Sequence, residues 1–442
     1  MSSAEWPSEG VTFDELWRTL TLQAGHNAAV VVLGATLLGI AGGVVGSFIV
    51  LRKRALLGDT LSHAALPGIA GAFIAATLLG VQGRSLSVLL PGAAAGCVFG
   101  VLAVQAIVRF TRLRDDAAIA AVLSVFFGVG VVLLSVIQSM PTGDQGGLAS
   151  FIYGQTAAMS VRDASLIGIV ALASIASVAL LFKEFRLTCF DREFAAVQGW
   201  PLGVIDLAMT GLLVVVTVIG LQAVGLLLIV ALLIIPPAAA RFWTERLRVM
   251  VPLSGALGGM SAYLGSCISA LLTNAPAGAI IVLTAGACFA VSVLLAPSRG
   301  VLASVVRLSS LRARIAIDHA LRAAVEREDG GREARPGPAV AFALRAGGLA
   351  RVARGRVVLT PRGEARARRI VRAHRLWERY LIEYADAAPS HVDVSADEVE
   401  HALPPALIAE LEDALGGRGL PATNGTPPSP HPLNGEQQGG AT

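Results

Sequence analysis

Long apolar runs follow one another from residue 27 to Pro297 and stop there. A run of about 20 such residues spans the ~30 Å hydrocarbon core of a bilayer as a helix, and lipid admits only segments that satisfy their own backbone. Candidate spans fall at residues 27–51, 56–80, 86–109, 117–139, 163–182, 203–221, 223–240, 250–272 and 276–296. The expected fold is an all-α polytopic membrane protein of about nine transmembrane helices. Composition agrees, since 54% hydrophobic against 15% charged residues excludes an ordinary soluble domain. The region 203–240 is almost unbroken, and Gly220–Gly225 predicts two helices joined by a tight hairpin there.

Basic residues set the expected orientation. Arg52–Arg54, Arg109–Arg114, Lys183–Arg192, Arg241–Arg248 and Arg299–Arg307 fall at alternate ends of the spans, which puts those ends in the cytoplasm and the N-terminus outside. Eight spans would place the Arg241 cluster on the wrong side. Residues 1–26 form a polar segment with a short amphipathic piece at 13–17 and no signal-peptide pattern. Residues 27–298 form the membrane domain, and 299–415 a small, mostly helical cytoplasmic domain. Within it the pattern predicts a helix to about 335, a short helix at 339–349, a β-hairpin over 350–360 turning at Arg354-Gly355, a helix from Pro361 to Tyr384 capped by Thr360, and a last helix at 395–415. The Gly/Pro/Asn/Gln-rich tail 416–442 is expected to be disordered. Cys97, Cys189, Cys267 and Cys288 show no CxxC spacing and read as packing residues.

Within the second span, Asp59 and His63 stand four residues apart, on one helix face. A carboxylate and an imidazole are ligands that Mn, Fe or Zn accept. Ionisable groups at membrane depth face protein or a water-filled path, so one reading is a transport route. The plainer reading is hydrogen bonding across the bundle with Thr60 and Ser62 as partners. Pro67-Gly68 frees backbone groups nearby, which is tolerable where a helix lines a cavity or packs on protein. Between the fifth and sixth spans, residues 187–201 read as a short amphipathic helix ended by Gly199 and Pro201, either an ordinary loop helix or a surface for a partner. No GxxxxGK[ST] loop occurs, so an ATP-driven process would need a separate motor subunit.

Four segments together, LLGDTLSHAALPG (56–68), FDREFAAVQG (190–199), VGLLLIVALLIIPPAAAR (224–241) and APAGAIIVL (275–283), resemble the permease subunit of manganese, zinc and iron ABC importers. The resemblance covers most of residues 30–296. It implies a multi-pass permease of the bacterial inner membrane in which Asp59 and His63 line the metal path. Asp191 to Gly199, including Glu193, would dock on a cytoplasmic ATPase. It also implies an extracytoplasmic metal-binding protein and a second permease subunit, self or paralogue. A permease for a metal chelate, or a membrane-tethered transcription regulator, are the rival expectations.

The polar domain carries a second ligand set: His374 and Glu378 four residues apart on one helix, then Asp397, Glu400 and His401. These could bind one or two divalent ions, and the lack of thiolates favours Mn or Fe. Arg375 and Arg379 alternate with the acids, so a salt-bridged surface is equally open. The segments LTPRGE (359–364), HRLWER (374–379) and DEVEHAL (397–403) resemble the diphtheria-toxin-repressor family, over about 312–415. In that family the matching His374, Glu378, Glu400 and His401 bind the regulatory metal, and the position of Asp397 helps select it. Asp393 stands where some members place a further ligand, usually His. The strong part of the first helix ends near Glu328 and the next starts near Ala339, which leaves about ten residues, too few for the additional helix and turns of a helix-turn-helix, so sequence-specific DNA binding is not expected.

Overall fold

The computed structural model describes residues 13–23, 25–80, 85–140, 159–272, 275–328, 336–353, 356–384 and 405–415. Asp393, Asp397, Glu400, His401, the turn Arg354-Gly355 and the tail 416–442 lie outside the described residues. The chain forms two compact units, Met1–Ala303 and Ser304–Thr442.

Among the described residues the first unit has α1 (Phe13–Leu20) and nine long helices: α2 (His26–Leu51), α3 (Leu56–Leu78), α4 (Leu86–Phe110), α5 (Asp115–Ser139), α6 (Val161–Leu180), then α9 (Leu202–Val224), α10 (Leu226–Trp243), α11 (Leu247–Leu271) and α12 (Ala277–Leu295). Between α6 and α9 stand two short helices, α7 (Phe182–Phe190) and α8 (Arg192–Val197). Eight of the nine long helices are long and apolar enough to cross a membrane. The exception is α11, whose buried face includes Ser254, Gly255, Gly258, Gly259, Ser261, Gly265 and Ser266 and so lowers its hydropathy. That same face explains its place in the bundle. α11 lies against α2 so closely that a Cβ on Gly39 would strike the carbonyl of Gly258, and Ser254 Oγ donates to the Gly43 carbonyl at 2.7 Å. Small residues thus let backbones approach where side-chain bulk would hold them apart.

The division within 203–240 is real. α9 ends and α10 begins at Gly225, whose φ of +83° would strain any other residue. A single buried core runs through the unit, built from residues such as Phe48, Leu61, Ile69, Phe185, Leu213 and Ile229. Pro67 sits inside α3 without ending it, and α3 packs on α4 and α5. The α2–α3 corner is tight: Lys53 has φ +58°, and α3 starts two residues after Arg54.

α13 (Val301–Glu328) starts at the end of the first unit and runs into the second, which also contains α14 (Pro338–Ala346), the antiparallel strands β1 (Ala350–Ala353) and β2 (Arg356–Leu359), α15 (Pro361–Tyr384) and α16 (Pro405–Leu415). Ala350 pairs with Leu359 and Ala353 with Arg356, the register of the expected hairpin. Thr360 caps α15 by accepting from the Gly363 N–H at 3.2 Å. Leu321, Leu344, Ala350, Val357 and Ala367 form its small core. Arg366 pairs with Asp318 at 2.8 Å, tying α15 to α13.

Candidate functional site

Asp59 lies in the first turn of α3, and His63 one turn further, about 10 Å along the axis from Leu56 at ~1.5 Å per residue. Both therefore lie toward the end of α3 that follows the Arg52-Lys53-Arg54 corner. His63 Nε2 stands 3.4 Å from Asp59 Oδ1, with the side chains 19% and 30% exposed. The His63 ring meets Phe127 of α5 edge to face, with centroids 5.0 Å apart. Its other nitrogen, Nδ1, is buried and has no hydrogen-bond partner. An unmet buried polar atom costs about 1–3 kcal/mol, and such costs concentrate at functional positions.

The neighbours proposed for a purely structural role are occupied elsewhere. Ser62 Oγ donates to the Gly58 carbonyl and Thr60 Oγ1 to the carbonyls of Leu56 and Ile119. Asp59 Oδ1 and His63 Nε2, 3.4 Å apart, could both reach a single ion. Among the described residues no group of three or more His, Cys, Asp or Glu surrounds such a point. From the described residues, this pair alone could offer an ion at most two ligands there.

Asp191 caps α8 by accepting from the Phe194 N–H at 2.9 Å, and Gly199 ends the segment at φ +76°. Glu193 is exposed. Ala195 is buried, whereas Phe190, Phe194 and Val197, the last at 87%, expose apolar surface. A short helix that shows its apolar side outward is suited to meeting a partner.

One acid escaped the sequence reading. Asp206, near the start of α9, accepts from Arg52 Nη1 at 2.7 Å through Oδ1 and from Arg192 Nη2 at 3.0 Å through Oδ2. Its signal was its solitude, since a lone carboxylate in an apolar span needs a partner. Arg54 is held likewise by Asp115 Oδ2, at 2.9 Å from Nε. A cavity of about 530 Å³ opens beside these groups, lined among others by Arg54, Gln105, Arg109, Arg192, Asp206 and Thr210. Burial pushes the nearby Cys189 thiol up to about 11, with Arg52 drawing it down and Asp206 raising it further. It stays un-ionised at neutral pH.

In the second unit His374 and Glu378 also face each other, Nε2 to Oε1 at 3.3 Å, with only 3% and 2% exposure. Arg322 of α13 reaches His374 Nδ1 at 3.1 Å. Arginine can only donate, so in the neutral ring Nδ1 accepts and Nε2 carries the proton toward Glu378. The sequence joined Asp397, Glu400 and His401 to this pair, and those three lie outside the described residues.

The family model described as "ABC 3 transport family" matches residues 26–296, nearly all of the first unit. The chain belongs to that family. It is a multi-pass membrane permease subunit, and its second unit contains residues 360–418, which match the "Iron dependent repressor, metal binding and dimerisation domain". Among its relatives, the manganese transport system membrane protein MntC of Bacillus subtilis is 40% identical over 315 residues, covering 71% of this chain and 70% of that protein. The zinc transport system membrane protein TroC of Treponema pallidum is 43% identical over 272 residues, covering 62% of this chain and 90% of the other. The solved structure of PsaBC from Streptococcus pneumoniae in complex with Fab aligns with a TM-score of 0.56 at 30% identity, over 65% of this chain and 98% of that one.

Proposed function

We propose that this ABC 3 permease carries divalent transition metal ions, Mn, Fe or Zn, inward across the membrane, with Asp59 and His63 as a station on the path. The observation that carries this reading is the partly exposed Asp59–His63 pair, whose donors stand 3.4 Å apart inside an otherwise apolar helix. A relative named for manganese transport and one named for zinc transport support the substrate class. Donor chemistry alone leaves the choice among the three metals open.

ATP is hydrolysed by a separate cytoplasmic subunit that docks on Asp191–Gly199, with Glu193 and the exposed Val197 on the contact face. The ion is delivered by an extracytoplasmic binding protein, and a second permease subunit, self or paralogue, completes the pathway. The arginine-bearing corners and the whole of residues 299–442 lie in the cytoplasm, in keeping with the bias of basic residues toward that side. Domain limits follow as proposed from the sequence: 1–26, 27–298, 299–415 and 416–442.

The second unit is read as a cytoplasmic metal sensor. His374 and Glu378 fit such an ion, being buried donors at 3.3 Å in a segment that matches a metal-binding domain. Asp397, Glu400 and His401 would complete the set. A bound Mn or Fe would supply a fixed positive charge that holds these side chains together. Only nine residues, 329–337, separate α13 from α14, which supports a sensor that does not read DNA sequence.

The test is ATP-driven uptake of Mn²⁺, Fe²⁺ and Zn²⁺ into proteoliposomes holding the permease, its ATPase and its binding protein. Saturable uptake of at least one free ion is expected. Uptake of a metal chelate alone would contradict the reading.

A further inference from the structure

We propose that Asp206 is a positioning residue that couples the α8 docking surface to the metal-bearing helix α3. This inference rests on the reading that α8 meets the ATPase. The carboxylate is shared: Oδ2 takes Arg192, the first residue of α8, and Oδ1 takes Arg52, the residue that ends α2. After Arg52 the chain turns through Lys53 at φ +58°, and α3 opens within four residues, with Asp59 in its first turn. A force on α8 thus reaches the start of α3 through one side chain on α9.

Three features separate this from an incidental surface ion pair. Arg52 and Asp206 are 10% and 20% exposed, so water and salt screen the link far less than they screen a surface pair. The corner that carries Arg52 is conformationally tight, so displacement of its side chain moves backbone. The cavity of about 530 Å³ lined by both Arg192 and Asp206 leaves room for the Arg192 end to shift while the Arg52 end stays packed. Arg192 is itself 53% exposed, as the moving end of such a link would be. Coupling carried in this way is an interaction free energy between two sites, and it shows as a change in how much one event drives the other.

The test uses the full complex in proteoliposomes and reads three quantities: ATPase co-purification, ATP hydrolysis rate, and ATP consumed per ion transported. Asp206→Asn keeps shape and removes charge. The expected result is normal co-purification and hydrolysis, with ATP consumed per ion raised about tenfold, within the usual range of coupling between sites. Arg192→Gln leaves the Arg52 pair intact and should raise the ratio similarly, and the double variant should be no worse than either single one. It also keeps the test open if Asp206→Asn fails to fold. An unchanged ratio in Arg192→Gln, or additive effects in the double variant, would overturn the proposal. Loss of ATPase co-purification in Asp206→Asn would also overturn it, since Asp206 would then serve docking alone. Failure of the docking reading shows separately: Val197→Glu, which alters α8 without touching Asp206, would then leave co-purification intact.

Discussion

Among the described residues each unit carries an imidazole–carboxylate pair, and the two pairs differ most in burial. Asp59–His63 and His374–Glu378 each join an imidazole to a carboxylate four residues away on a helix, at 3.4 and 3.3 Å. The first pair is partly exposed, whereas the second is almost wholly buried. Burial raises the cost of leaving a charged group without its partner, so a buried pair holds an ion more strongly once the ion is there. A partly open pair exchanges more readily. The contrast matches an ion that passes through the first unit and one that stays in the second.

The largest expected effect tests the passing site. Asp59→Ala should lower ion uptake about 100-fold, because removing a ligand costs at least as much as removing the groups that orient it. The Mn retained by the washed complex should not change. Equal loss of retained metal would merge the two sites. Next, Glu378→Ala should cut retained Mn²⁺ affinity about 10- to 100-fold, measured by equilibrium dialysis of the full chain, while uptake by the Asp59–His63 path continues. Phe127→Ala frees the His63 ring and should slow uptake about three- to tenfold, the value of an edge-to-face contact. An effect of opposite sign falls on Arg322, whose guanidinium competes with a cation for His374. Arg322→Gln should tighten Mn²⁺ retention about fivefold, and weaker retention would show that Arg322 supports the site instead.

Much of the membrane unit was readable because lipid imposes a simple rule, and runs such as 27–51 and 117–139 obey it without exception. The arginine pattern required two helices within 203–240, since one would have put Arg241 on the opposite side from the other arginines, whereas the Gly/Ser face of α11 leaves that helix short of the hydropathy of the other eight. Gly225 marked the joint between α9 and α10. Partners across the fold were not readable. Phe127 looks like any apolar residue of α5 until α3 lies beside it, and Asp206 is 154 residues from Arg52. In the second unit the Thr360 cap and the hairpin followed from local chemistry. The contact of Arg322 with His374 depends on how α13 crosses α15, which no local pattern encodes.

The most direct test of the transport claim is initial-rate Mn²⁺ uptake into proteoliposomes by complexes carrying His63→Ala, with ATPase assembly and hydrolysis verified in the same preparation. The pair at 3.4 Å predicts that assembly persists while ion uptake falls to background. Uptake at the unsubstituted rate would contradict the placement of Asp59 and His63 on the metal path.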